Sequence, residues 1–216
     1  MDLKKLNSFL KKENQHKIIG RDAYMNAGVI VLFCEIDGEI FVLFEKRSAK
    51  IKQGGEICFP GGKRDRKDIS FLDTAIRETY EEIGLPKERI LHQRRYGSLI
   101  IPVGTIVETS IGYVPNFRLE ELNLNKSEVE KIILVPLKYF IETEPEIEYV
   151  IVENQPYYKD KKGEKVTFSA ERWGLPEKYR KPWSGIPRRI IVYAYEDEII
   201  WGITGEIIYS VSKSLK

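Results

Sequence analysis

The chain has 216 residues, 42% hydrophobic and 31% charged, with a formal net charge of +2. That balance fits a globular domain with a substantial core and excludes a disordered, charge-dominated chain. It also excludes a global attraction to nucleic acid or membrane, so any phosphate recognition must be local.

Leu3, Leu6 and Leu10 recur at helical spacing and predict a short N-terminal amphipathic helix. The leading stretch MDLKKLNSFLKKENQ lacks the unbroken apolar core of a signal peptide, and no apolar run reaches the roughly 18 residues of a membrane span. The expectation is a cytoplasmic protein. Next, AGVIVLFCEIDGEIFVLFEKR reads as two strands joined at Asp37 and Gly38, since Asp-Gly between apolar runs is a hairpin signal. Cys34 and Cys58 each sit in an apolar run and read as buried free thiols. With only His16 and His92 present, a histidine zinc site or a serine triad has little support.

A glycine-rich passage, KQGGEICFPGGKRDRKD, leads into a helix with Ser70 and Asp73 as a capping box. Leu72, Ala75, Ile76, Thr79 and Ile83 form its core stripe, and Gly84 and Pro86 end it. Beyond it, RILHQRRYGSLII, GTIVETSIGYV and EVEKIILVPL read as strands, and VPLKYFIE turns from strand into a short helix. The end reads as a hairpin through Glu196 and Asp197 and a terminal helix from about Gly202. Residues 153–187, rich in Pro, Gly, basic and aromatic residues, read as an inserted excursion in a single domain over 1–216. Strands and helices mix without a regular alternation, which predicts an α+β fold.

The stretch RETYEEIGLP carries the chemistry. Measured from Glu78, Glu82 lies about 40° around the helix and Glu81 about 60° the other way, so three carboxylates share one face. Like charges so placed repel by a few tenths of a kcal/mol per pair. A solvated acidic face accounts for such a run, and so does a hard divalent cation, which takes carboxylate oxygens together with water and phosphate. Gly61 and Gly62 stand just before this helix, where a backbone without Cβ can approach a phosphate.

Together Gly62, Asp68, Arg77, Glu78, Glu81, Glu82, Gly84 and Leu85 resemble the Nudix box: Gly, five residues, Glu, seven residues, Arg-Glu-U-x-Glu-Glu-x-Gly-U, with U apolar. Here the intermediate acid is Asp68, with eight residues between it and Arg77, and Thr79 stands at the first U position. The longer spacing is similar to that of the coenzyme A pyrophosphatase branch. Upstream, Arg47, Ser48, Gly55, Phe59, Pro60, Gly61 and Gly62 resemble that branch's accessory motif, with Lys52 where Arg is usual, and IIWGITGEII resembles its final Trp-Gly-x-Thr segment.

The resemblance implies a Nudix fold, a mixed β-sheet packed between helices. It implies Mg²⁺ or Mn²⁺ as cofactor and hydrolysis of a nucleoside diphosphate linked to another group. Carried over by position, Glu78, Glu81 and Glu82 are the metal ligands and, with Arg77, the catalytic set; Arg47, Lys52, Gly61 and Gly62 meet the substrate. For the branch, cleavage of coenzyme A or an acyl derivative gives 3′,5′-ADP and 4′-phosphopantetheine. ADP-ribose, dinucleoside polyphosphates and nucleotides stay open as alternative substrates, as does a nucleotide-sensing module without turnover. The resemblance also implies a homodimer; the near-neutral charge and the lack of a spanning segment predict no nucleic-acid or membrane partner. Lys46 lies near Arg47 as a further phosphate donor. Trp173, Tyr179, Trp183 and Arg188 supply either a stacking flap or a self-packed loop. Glu108 and Glu128 are further acids that the sequence gives no reason to prefer.

Overall fold

A computed structural model describes residues 17–216, so the helix expected over Leu3, Leu6 and Leu10 lies outside the described residues. In chain order the first strands are β1 (Met25–Ile36), β2 (Glu39–Arg47), β3 (Ile57–Cys58) and β4 (Gly61–Lys63), followed by helix α1 (Phe71–Ile83). Then come β5 (Leu91–Ile101), β6 (Thr105–Val114), β7 (Val129–Pro136) and the short helix α2 (Leu137–Glu142). The remainder holds β8 (Glu146–Val150), β9 (Glu153–Asn154), β10 (Tyr157–Lys159), β11 (Lys165–Thr167), β12 (Trp183–Ser184), β13 (Arg188–Tyr195), β14 (Glu198–Trp201) and helix α3 (Gly202–Lys213).

The main sheet is mixed, as expected. β1 runs parallel to β6 from Met25↔Thr105 to Cys34↔Val114, while its other edge is shared: β4 pairs antiparallel with its first half and β2 with its second. β5 flanks β6, and β3 and β7 flank β2. The β1–β2 turn at Asp37 and Gly38 has φ of 49° and 83°, the doubly left-handed geometry that makes Asp-Gly a hairpin former.

β1 is buried on both faces, and its alternation divides the core. Ile30, Leu32 and Cys34 pack with Ala75 and Ile83 of α1, whereas Val31 packs with Phe140 of α2 and Ile207, Ile208 and Val211 of α3. Helices therefore cover both faces of the sheet, the arrangement that buries a strand reading as a continuous apolar run. A second sheet, β14-β13-β8, joins this body where Lys46 Nζ meets Glu198 Oε2 at 3.0 Å, and α3, which follows β14, is tied to β3 where Thr204 Oγ1 donates to Ile57 O at 3.0 Å. Among the described residues no helix is long and apolar enough to cross a membrane.

Gly28 sets how closely α1 lies on β1: a Cβ there would stand 2.3 Å from the Phe71 carbonyl oxygen, a helix atom that cannot swing aside. Gly28→Ala is expected to destabilise the fold by about 1–3 kcal/mol through overpacking. Urea denaturation checks this, with a lowered midpoint at an unchanged m-value as the expected result.

Candidate active site

The geometry begins with the caps of α1. Ser70 and Asp73 exchange side-chain-to-backbone hydrogen bonds at its start, and Gly84, at φ 73°, ends it. Thr79, the polar residue in the apolar stripe, donates its hydroxyl to Ala75 O at 2.6 Å and is buried without an unmet donor. With both ends fixed and one face against the sheet, the acidic residues take different positions.

Glu82 turns inward. It is buried and its Oε2 accepts the Gly61 N–H at 2.9 Å. Gly61 is at φ 147° with Gly28 O 2.3 Å from where a Cβ would sit, so only glycine presents that N–H there. Glu78 is half-buried, its carboxyl lying over Gly62 so closely that a Cβ on Gly62 would be 2.5 Å from it. Glu81 is exposed and bonded to Arg77 Nη1 at 2.9 Å.

Arg77 orders this face. Its Nε and Nη2 grip both oxygens of Asp68 at 3.0 and 3.1 Å, and the guanidinium also reaches Glu78 at 2.9 Å. Asp68 further accepts from Thr74 Oγ1 and the Asp65 N–H. Its hydrogen bonds from Arg77 above all hold its carboxyl well below the usual carboxylate range. Asp68 is thus a brace between loop and helix, not an acid facing the cleft.

A fourth acid joins this cluster. Glu45 of β2 is 1% exposed; its Oε1 accepts the Cys58 thiol at 3.2 Å, and its Oε2 has no hydrogen-bond partner among the described residues. Burial pushes the carboxyls of Glu45 and Glu82 well above their ordinary range, and Glu45 raises Glu82 further. Burial also raises Glu78, against the pull of Arg77, and the exposed Glu128 adds repulsion to Glu45, Glu78 and Glu82.

Glu45 escaped the sequence reading because its inward direction depends on β2 pairing with β3 and β7. The available signal was period-2 alternation, which puts Glu45 on the face of Leu43, an acid where an apolar residue is expected.

The remaining candidates separate. Arg47, the last residue of β2, donates its Nε to Lys52 O at 3.3 Å and so holds the loop before β3 that carries exposed Lys52. Lys46 is engaged by Glu198 instead of standing free for phosphate. Glu108 is buried and paired with Arg21, Arg95 and Ser98, which leaves no free role for it as a base. Cys34 is buried as expected, its thiol pushed up to about 12 by burial; Cys58 is only partly so, its thiol spent on Glu45.

Among the described residues no three His, Cys, Asp or Glu side chains stand ready-arranged as a metal-holding group. The donor chemistry nevertheless fits a hard divalent cation. Buried carboxylates that repel one another and an orphaned carboxylate oxygen are features that a cation relieves.

Residues 25–155 match the sequence profile of the NUDIX domain. The chain is 35% identical over 127 residues to the mouse peroxisomal coenzyme A diphosphatase NUDT7, covering 56% of this chain and 50% of that protein. It is 33% identical over 142 residues to Nudix hydrolase 3 of Caenorhabditis elegans, covering 64% and 59%. To the human mitochondrial coenzyme A diphosphatase NUDT8 it is 32% identical over 128 residues, covering 55% and 51%. The chain thus spans between half and three fifths of the length of these relatives.

Asp68→Asn is expected to cost about 2 kcal/mol of stability at pH 7 by removing charge-assisted bonds to Arg77. Because the folded carboxyl is depressed, its stabilisation is present above the unfolded value near roughly 4 and fades as pH falls below it. Urea titrations of both proteins from neutral to acid pH should show the gap closing on the acid side.

Proposed function

The chain belongs to the NUDIX family, and within it we propose a metal-dependent pyrophosphohydrolase that cleaves coenzyme A or an acyl derivative. The observation carrying this reading is the buried Glu45–Glu82 pair, in which Glu45 Oε2 has no hydrogen-bond partner among the described residues while Glu82 Oε2 accepts the Gly61 N–H. The substrate follows from similarity to proteins named coenzyme A diphosphatases and from Arg47, Ser48 and the Phe59-Pro60-Gly61-Gly62 run.

In this reading Glu45, Glu78 and Glu82 would hold Mg²⁺ or Mn²⁺, with Glu81, whose exposed bond to Arg77 contributes little, as the further carboxylate on the same helix face. The cation supplies Lewis acidity to a phosphoryl oxygen and lowers the pKa of a water. The chain's own residues provide the frame. Arg77 and Asp68 fix the helix against the preceding loop, so the carboxylates keep their spacing to the glycines. Gly61 holds Glu82 through its N–H, and the lack of a Cβ at Gly62 leaves the Glu78 carboxyl its place. Arg47 and Lys52 present positive charge for the diphosphate. Water adds its oxygen to one phosphorus, the bridging P–O bond to that phosphorus breaks with its electron pair going to the leaving phosphate, and the water's proton passes to solvent, giving 3′,5′-ADP and 4′-phosphopantetheine or its acyl derivative.

Assays of coenzyme A, ADP-ribose and a dinucleoside polyphosphate, each with Mg²⁺ and Mn²⁺, test the substrate; turnover only of the latter two would overturn the coenzyme A assignment. Glu82→Gln should lower kcat/KM by about 100-fold or more. Undiminished hydrolysis by the Glu81→Gln, Glu82→Gln double variant would remove the carboxylate basis of the mechanism.

Glu45→Gln gives a separate readout. A buried acid with a raised folded pKa costs stability as pH rises above its unfolded value near roughly 4.3. The variant's melting temperature at pH 8 without metal should therefore hold or rise while turnover falls.

A further inference from the structure

The excursion between β8 and β13 carries aromatic surface that its own packing does not use. Its ends pair at Trp183↔Asn154 and Ser184↔Glu153, and β10 and β11 form a hairpin within it. Between Glu153 and Ser184 only Pro156 and Ala170 are buried. Tyr158 is 63% exposed and Trp173 65%, although side chains of this size normally dominate the burial of any segment that holds them. They surround a cavity of about 620 Å³, lined also by Tyr157, Phe168, Trp183 and Gln155. That volume falls in the range of small-molecule sites.

Cations frame the aromatic walls. Lys165 Nζ lies 4.1 Å from the Tyr157 ring centroid, and the Arg172 guanidinium lies 5.2 Å from that of Trp173. Gln155, Thr167 and Ser169 offer neutral donors and acceptors along the same cavity. Aromatic faces, neutral hydrogen-bonding groups and ring-mounted cations match, in turn, a planar base, its edge and its phosphate.

We infer that this aromatic cavity of the excursion binds the base of a purine nucleotide, with Lys165 and Arg172 toward the phosphate. The choice of a nucleotide over another aromatic anion rests on the diphosphate substrate proposed above. The site itself is separate from the acidic pocket: none of its lining residues belongs to α1, β2 or β4.

The test is calorimetric titration of the full chain with adenosine 3′,5′-bisphosphate, in chelator and without divalent cation, so that binding is read independently of hydrolysis. Trp173→Ala and Tyr158→Ala should each weaken binding at least about fivefold, Trp173→Phe should restore most of it, and Glu82→Gln should bind as the parent does. Hydrogen exchange of the unmutated chain is the second measurement, free of folding effects, and should show nucleotide-dependent protection within residues 155–173. Unchanged affinity in both alanine variants overturns the site, as does protection confined to the Gly61 and Glu82 region. Loss of binding in Glu82→Gln alone would also overturn it, placing the nucleotide in the acidic pocket and leaving the hydrolase reading intact.

Discussion

Burying a carboxylate without a counter-charge is among the costliest things a fold can do, and this chain buries Glu45 and Glu82 within electrostatic reach of each other. The surrounding structure keeps them there by rigid means. Glu82 is tied to a backbone N–H that only glycine can offer at φ 147°, and Glu45 is held by a thiol, a weak donor that satisfies one oxygen and leaves the other bare. A core built for stability alone would carry apolar residues at both positions, since buried charges are commonly outperformed by hydrophobic isosteres. The acids are retained at a cost to the empty protein, the pattern of a site arranged for a ligand that supplies the missing positive charge.

Arg77 resolves a related conflict on the outer side of the helix. One guanidinium touches Asp68, Glu78 and Glu81, so a run of like charges that weakens an isolated helix becomes a single braced network. Its members differ in strength. Asp68 is buried and bidentate, and Glu78 is partly screened from water; Glu81 stands in solvent, where an ion pair contributes little. The network is firm where it joins loop to helix and loose where the helix faces the cleft.

What was legible in the sequence was what local physics decides. The Asp-Gly hairpin, the Ser70 and Asp73 capping box, the Gly84 stop and the apolar stripe of α1 each depend on residues within a turn or two, and the Nudix profile agrees with the box that the spacing suggested. What was not legible depends on pairing between distant strands. Glu45 becomes a site residue only when β2 is flanked by β3 and β7, and Lys46, its neighbour, points instead to Glu198, 152 positions away. The role of Asp68 was hidden for a different reason: spacing does not show which partner a side chain takes, and here Arg77 Nε and Thr74 Oγ1 both donate to its carboxyl, so it ties the loop to the helix.

The excursion follows a different logic from the core. β8 and β13 are antiparallel neighbours, with Val150 opposite Arg188, so the chain leaves and re-enters the sheet at adjacent points. Closing such a loop costs little more when it is long than when it is short, about 0.6 kcal/mol for each doubling. The Nudix profile ends at residue 155, yet β13, β14 and α3 return to complete the core, with Ile191, Ile200, Ile207 and Val211 all buried in it. The segment between can therefore change in length and surface without shifting the register of the sheet that carries Glu45 and Gly61. A fold built this way holds its acidic pocket fixed while leaving the excursion free to acquire a surface for a particular ligand.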